Sequence, residues 1–202
     1  MQLKLHFTAN PFTLPINYRP LIHGLIYHAL LADPAYSTVL HELNNQNGIR
    51  AFKGFTFSPL TGPHIIVDRQ ISFPNGAWLE IRSVDPEMII LLYNAFSSGL
   101  PYSLGGCTCS TLACTVEDRH VYTDQIIVRS LSPIVAYRTT LERKTIFYSP
   151  SDGAFYDLTC ANAVRKAKRF GLYSKTDLSI SLSTKRKPVK QLSRFDGTII
   201  EG

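Results

Sequence analysis

The chain has 202 residues, of which 45% are hydrophobic and 18% charged, and this composition is that of a globular protein rather than a disordered one. No apolar run approaches the ~18 residues that a membrane-spanning helix needs, and the alternating start MQLKLHFTA does not form the apolar core of a signal peptide. We therefore expect a cytoplasmic protein that is not embedded in a membrane.

The net charge of +6 is unevenly distributed along the chain. Residues 1–160 contain 11 Lys and Arg against 12 Asp and Glu, whereas residues 161–202 contain 10 against 3. A basic surface of this density is typical of proteins that bind nucleic acid. A solvated helix face followed by a lysine-rich turn is the alternative explanation. The residues predicted to contact the polyanion are Arg165, Lys166, Lys168, Arg169, Lys185, Arg186 and Lys187.

The first part of the chain alternates between strand and helix signals. Polar and apolar residues alternate at the start, and apolar residues recur at helical spacing after Pro20. The predicted elements are, in order, a strand over residues 2–7, a helix from about residue 20 until Asp33-Pro34, a short helix over 35–43, strands over 50–60, 63–73 and 77–83, a helix from Met88 to Phe96 opened by Asp85-Pro86, and a long strand or hairpin over 107–122.

The order strand, helix, strand, strand, helix, strand is that of the ferredoxin-like and RNA-recognition folds, which have a four-stranded antiparallel sheet with two helices on one face. From about Asp124 the pattern restarts, with two strand signals, a helix ending at Gly171 and two further strands. We therefore predict an α+β protein of two tandem ferredoxin-like domains. Residues 1–123 form the first, and residues 124–202 form a basic second domain that lacks its last helix and strand.

The four cysteines are predicted to be reduced thiols. Three of them, Cys107, Cys109 and Cys114, lie within eight residues, a spacing that suits one strand better than a disulfide framework. Together with His120 they give C-x-C-x4-C-x5-H, which is not a usual zinc spacing. We therefore predict no metal site and no cofactor.

Several short motifs occur in a characteristic order. They are LPINY (14–18), GLIYHAL (24–30), LHEL (40–43), KGFTFS (53–58), LSPI (131–134) and NAVRKAKRFG (162–171). Their order and spacing resemble the CRISPR-associated endoribonucleases of the Cas6 family, which process precursor CRISPR RNA within its repeats in antiviral defence. The resemblance implies two tandem ferredoxin-like domains, which is the architecture predicted above. The family's C-terminal glycine-rich loop has no counterpart in these motifs.

The resemblance also implies a catalytic set. In histidine-bearing members, a helix tyrosine, a histidine after that helix and a lysine before the F-T-F/Y-S strand act together, and they correspond to Tyr27, His41 and Lys53. Histidine can transfer a proton in either direction near neutral pH, lysine can stabilise negative charge, and tyrosine can orient a hydroxyl. Considered without the resemblance, Tyr27 is a core aromatic residue and His41 a surface or capping histidine.

The predicted function is a metal-independent endoribonuclease that cleaves precursor CRISPR RNA within its repeats, leaving 2′,3′-cyclic phosphate and 5′-hydroxyl ends. The alternative is a non-cleaving subunit that holds repeat RNA within a CRISPR ribonucleoprotein. The predicted partners are repeat RNA and, in the second case, other CRISPR effector subunits. The sequence leaves the oligomeric state open, with a homodimer among the alternatives.

Overall fold

The structure is a computed structural model, and it describes residues 1–31, 33, 34, 36, 38, 54–118, 134–171, 190–192 and 199–201. The chain divides into two compact units, Met1–Ile127 and Val128–Gly202. The domain boundary predicted from the sequence, between residues 123 and 124, falls outside the described residues and stays a prediction. The short helix predicted over residues 35–43 also falls largely outside them.

In the first unit Pro34, Tyr36 and Thr38 are helical, and eight strands and two further helices have bounds among the described residues. In chain order they are β1 (Gln2–Ala9), β2 (Thr13–Pro15), α1 (Arg19–Leu31), β3 (Phe55–Phe57), β4 (Ile65–Val67), β5 (Gln70–Ser72), β6 (Ala77–Ser83), α2 (Pro86–Ser97), β7 (Tyr102–Leu104) and β8 (Cys107–Glu117). The main sheet has the order β3-β6-β1-β8-β7, and every neighbouring pair is antiparallel. With α1 and α2, the strands β1, β3, β6 and β8 form the predicted ferredoxin-like pattern.

The core of the first unit lies between the sheet and its two helices. Strand β1 places Leu3, Leu5 and Phe7 in this core, and each of them is fully buried. Because side chains alternate between the two faces of a strand, the residues between them lie on the other face. The helices contribute apolar residues at helical spacing, which are Ile22, Leu25, Ile26 and Leu30 from α1 and Met88, Ile89, Leu92 and Phe96 from α2.

Helix α2 begins where the sequence predicts it. The Asp85 carboxylate accepts hydrogen bonds from the backbone N–H groups of Glu87 and Met88, at 3.0 and 3.5 Å, and Pro86 occupies the first turn. An aspartate N-cap followed by proline satisfies donors that the helix leaves open and fixes the backbone in a helical conformation. The predicted strand over residues 77–83 is likewise confirmed as β6.

The single strand predicted over residues 63–73 is wrong. The structure has a hairpin there, in which β4 pairs with β5 and β5 with β2, giving a separate three-stranded sheet. The turn residues Asp68 and Arg69 have φ angles of 48° and 61°, in the left-handed region that tight hairpins require. Such turns are usually recognised by asparagine or glycine, and neither residue is present at this turn.

The described residues of the second unit form β9 (Ala136–Thr139), β10 (Thr145–Tyr148), α3 (Gly153–Arg169), β11 (Lys190–Leu192) and β12 (Ile199–Glu201). Strand β9 pairs with β10, and β11 with β12, in both cases antiparallel. The second of the two strands that the sequence predicts after α3 covers residues 187–202, and the structure has two paired strands, β11 and β12, within that range. Helix α3 ends at Arg169, and Gly171, just after the C-cap, has a φ of 65° that suits the helix-terminating glycine predicted from the sequence.

All four cysteines lie among the described residues, and none forms a disulfide. Three of them are on β8, where burial raises the pKa of the Cys109 thiol to about 12 and that of Cys114 to about 11. In the described part of the chain, no helix is long and apolar enough to span a membrane.

Candidate functional site

The candidate site is built on one side of α1. Arg19, His23 and Tyr27 follow one another at intervals of four residues, so that their side chains form a line along the helix. The residues preceding His23 and Tyr27, Ile22 and Ile26, are fully buried. The line therefore runs along the border between the buried side of the helix and the solvent.

Strand β3 supplies the second side of the site. Phe55 and Phe57 are two residues apart, so both point to the face of the sheet that carries α1. The His23 ring lies 5.9 Å from the Phe55 ring and 6.5 Å from the Phe57 ring. The Arg19 guanidinium lies 5.2 Å from the centre of the Phe57 ring, within cation–π distance. The two phenylalanines thus anchor the line of polar residues to the sheet.

Tyr27 is held between α1 and β3. Its ring lies 4.6 Å from the His23 ring and 6.0 Å from the Phe55 ring, which it meets edge-on at an interplanar angle of 63°. Burial raises the pKa of the Tyr27 hydroxyl above its ordinary value of 10.0. The phenol is therefore protonated at neutral pH, and it can donate a hydrogen bond rather than act as a base.

The other two residues of the predicted catalytic set, His41 and Lys53, lie outside the described residues. The structure therefore does not test whether they meet Tyr27. The described residues beside Lys53 are well anchored, since the Gly54 carbonyl accepts hydrogen bonds from the Ser83 hydroxyl at 2.9 Å and from the Val84 N–H at 3.3 Å. Phe55, the next residue, contacts Tyr27. The described residues that directly follow Lys53 in the sequence are therefore close to the candidate site.

The basic residues predicted to bind nucleic acid are only partly described. Arg165, Lys166, Lys168 and Arg169 lie in the last two turns of α3, and all four are exposed. At 3.6 residues per turn they occupy about half of the helix circumference. Positive charge near a helix C-terminus also interacts favourably with the helix dipole, so these residues stabilise α3 whether or not they bind a ligand. Lys185, Arg186 and Lys187 lie outside the described residues.

Two residues of the site were not predicted from the sequence, Arg19 and His23. His23 is one helical turn before Tyr27, and Arg19 is two turns before it, so the four-residue spacing was the available signal. Phe55 and Phe57 belong to the KGFTFS motif, but their contact with α1 depends on the tertiary structure. Among the residues that the structure describes, no three His, Cys, Asp or Glu side chains are grouped so that they could hold a metal ion.

Comparison with known proteins shows the fold and gives a family match for the C-terminal part of the chain. The structure is similar to that of a protein described as "CRISPR associated protein Cas6", with a TM-score of 0.70 and 21% identity over 100% of this chain and 83% of the other. It is similar to a Cas6-related protein from Pyrococcus furiosus, with a TM-score of 0.75 and 18% identity over 98% of this chain and 82% of the other. A search of curated proteins gives no match.

A third similar structure is described as "An RAMP protein binding different RNA substrates", with a TM-score of 0.74 and 17% identity over 100% of this chain and 84% of the other. At these identities the similarity concerns the fold, and it confirms the predicted class, an α+β protein of the tandem ferredoxin-like kind. Residues 116–202 match the family model for the C-terminal part of the CRISPR-associated protein Cas6. This match confirms, for the C-terminal part of the chain, the resemblance to the Cas6 family found in its motifs.

Proposed function

We propose that this protein binds CRISPR repeat RNA and cleaves it, using Tyr27, His41 and Lys53 without a metal ion. The observation that carries the proposal is the setting of Tyr27. Its ring is packed between α1 and β3, and its hydroxyl remains protonated. In the sequence, β3 begins two residues after Lys53. The match of residues 116–202 to the Cas6 family model supports the substrate class.

The chemistry is an attack of the RNA on itself. The 2′-oxygen forms a bond to the adjacent phosphorus while the bond from phosphorus to the 5′-oxygen breaks, which gives a 2′,3′-cyclic phosphate and a 5′-hydroxyl. One proton leaves the 2′-hydroxyl and one joins the 5′-oxygen. His41 transfers a proton in this scheme, and Lys53 stabilises the negative charge that develops on the phosphate oxygens.

Tyr27 takes the remaining role, which is to orient the 2′-hydroxyl. A tyrosine acts as a base only when its pKa is lowered towards neutral pH, whereas burial raises the pKa of Tyr27. A protonated phenol can instead donate a hydrogen bond to the reacting hydroxyl or to a phosphate oxygen. This favours proton removal by His41 rather than by Tyr27.

The RNA backbone is bound, in this proposal, by the cations of α3 and of residues 185–187. Each phosphate contact releases condensed counterions, so the affinity should fall steeply as the salt concentration rises. The double substitution Arg165→Glu and Arg169→Glu should weaken binding and reduce the salt dependence. The double substitution Arg138→Glu and Lys144→Glu, at exposed positions of the same unit, changes the net charge equally and is the matched control. Equal losses in the two variants would show that net charge, rather than the α3 surface, governs binding.

A non-cleaving RNA-binding subunit is the second candidate function. It is favoured by the similarity to the RAMP protein, whose description names RNA binding. In that case the protein would retain repeat RNA with the same salt dependence and leave it intact.

The two functions are separated by incubating repeat RNA with the protein in EDTA and analysing the products on a denaturing gel. We expect cleavage that survives chelation and leaves a cyclic phosphate. His41→Ala should lower the cleavage rate by on the order of 10²–10⁴ while RNA affinity changes little, and Tyr27→Phe should lower the rate by less. His28→Ala is the control, because His28 is exposed on the same helix. Cleavage that requires added Mg²⁺, or that persists unchanged in His41→Ala, would contradict the mechanism.

A further inference from the structure

A stacked aromatic pair lies on the face of the main sheet opposite to α1 and α2. His6 of β1 and Trp78 of β6 are direct partners across the two strands, and their rings are 4.3 Å apart with an interplanar angle of 5°. Their neighbours in sequence, Leu5, Phe7 and Leu79, are fully buried on the opposite face. The pair therefore stands on the side of the sheet opposite α1 and α2, away from the candidate catalytic site.

Backbone hydrogen bonds explain why the two rings stack so closely. The Trp78 N–H donates to the Thr61 carbonyl at 2.8 Å, and the Thr61 N–H donates to the Trp78 carbonyl at 3.0 Å. Since both polar groups of Trp78 are directed to Thr61, its position opposite His6 is a non-hydrogen-bonded one. Side chains at such positions approach more closely than at hydrogen-bonded ones. The orientation of the pair is thus fixed by the sheet.

Trp78 remains 42% exposed despite the stacking. A large aromatic side chain held rigidly with part of its ring in water is well suited to stack a further planar group, because little conformational entropy remains to be lost on binding. On the other side of His6, the strand partner is Ala113, whose small side chain occupies little space beside the histidine. The pair can therefore be extended by another flat ring.

The charges around His6 and Trp78 indicate what kind of planar group would stack on them. Lys4 and Arg82 lie on the same face, and each is paired with a carboxylate, Lys4 with Glu117 at 2.8 Å and Arg82 with Glu80 at 3.3 Å. These four charges cancel, so the surface does not select a cluster of phosphates. Its polar character equally disfavours an apolar protein partner. An uncharged planar group within a polar molecule, such as a nucleobase, fits both observations.

We propose that His6 and Trp78 form a stacking platform for an unpaired base of the bound RNA. This inference rests on the proposed function, because it assigns a contact to the same RNA. In sheets that bind RNA, aromatic side chains on the two central strands stack bases, and β1 and β6 are central in the order β3-β6-β1-β8. Base stacking tolerates any base, so the platform would hold a single-stranded part of the repeat without reading its sequence.

The fluorescence of Trp78 gives a direct test, because Trp78 is the only tryptophan in the chain. Titration of the wild-type protein with repeat RNA should quench the emission saturably, at the same concentrations at which filter binding detects the complex. A short oligoadenylate should quench it as well, although more weakly. Repeat RNA that binds without changing the emission would overturn the platform and leave the proposed function standing.

Variants add a second measurement, made with labelled RNA. Trp78→Thr should weaken binding of repeat RNA about 5- to 100-fold, the usual effect of removing one stacked base, whereas Trp78→Phe should restore most of the affinity. Tyr93→Thr is the control, since Tyr93 is a similarly exposed aromatic residue on α2. Unchanged affinity in a folded Trp78→Thr variant would refute the inference. Quenching by oligoadenylate without binding of repeat RNA would support the platform and reject the proposed function. If oligoadenylate did not quench the emission and repeat RNA did not bind, both the platform and the proposed function would be rejected.

Discussion

A hydrogen bond between Tyr36 and Asp85 offers a quantitative test of how the first unit is held together. The Tyr36 hydroxyl donates to one carboxylate oxygen of Asp85 at 2.5 Å, while the other oxygen caps α2. A bond to a charged group contributes about 1.5–3 kcal/mol, and an aspartate N-cap about 1 kcal/mol. Tyr36→Phe should therefore lower the free energy of unfolding by about 1.5–3 kcal/mol, and Asp85→Ala by about 2.5–4 kcal/mol.

The double variant Tyr36→Phe/Asp85→Ala shows whether the two single substitutions lower the free energy of unfolding by removing the same hydrogen bond. Once Asp85 is alanine, the Tyr36 hydroxyl has lost this acceptor, so adding Tyr36→Phe should cost little more, and the two single effects should exceed the double effect by about 1.5–3 kcal/mol. Urea unfolding followed by the emission of Trp78, in the same unit, measures all three variants. Additive effects would refute the bond. Tyr36 is close in sequence to His41, so the rate at which the Tyr36→Phe variant cleaves repeat RNA should be measured as well.

Two further predictions concern single positions. A methyl group at Gly76 would meet a β1 carbonyl oxygen at 2.7 Å, whereas one at Gly99 would meet nothing within 4 Å, and both residues have a φ near 80°. Gly99→Ala should therefore lower the free energy of unfolding by about 1–2 kcal/mol through backbone strain, and Gly76→Ala should lower it clearly more. Equal losses in the two variants would contradict the close contact at Gly76. Burial raises the pKa of the Cys109 thiol to about 12, so its thiolate is scarce at pH 8, and iodoacetamide should label it orders of magnitude faster after unfolding. Equal labelling rates in the folded and unfolded protein would show that the thiol is not shielded.

Regular elements with local signals were predictable from the sequence. Strand β6 is preceded by a turn at Pro74-Asn75 and followed by the cap at Asp85, and Ala77, Leu79 and Ile81 alternate with more exposed residues. Both its limits and its buried face therefore follow from local chemistry. The hairpin of β4 and β5 was not predictable in this way. Its turn at Asp68-Arg69 is stabilised by a distant contact, since the Ile16 N–H donates to the Arg69 carbonyl at 2.8 Å.

The site residues divide along the same lines. The motif GLIYHAL identifies Tyr27, and the four-residue spacing between His23 and Tyr27 is visible in the sequence. The contact of Tyr27 with Phe55 was not visible, because it joins segments 28 residues apart. The stacking of His6 on Trp78 depends on the register between β1 and β6. A sequence pattern indicates the face of the sheet on which each side chain lies, but not which residues of the two strands are opposite each other.

Tyr27 shows why a core residue and a catalytic residue need not be alternatives. On α1 it lies between Ile26, which is fully buried, and His28, which is exposed, so its ring is half in the core while the helix border reaches the solvent. Removing the hydroxyl and removing the ring should therefore have different effects. Tyr27→Phe keeps the contacts with His23 and Phe55 and should affect mainly the cleavage rate, whereas Tyr27→Ala should also lower stability, by about 1–3 kcal/mol. If Tyr27→Phe cleaved repeat RNA at the wild-type rate, the hydroxyl would have no part in the reaction, and packing alone would account for the tyrosine.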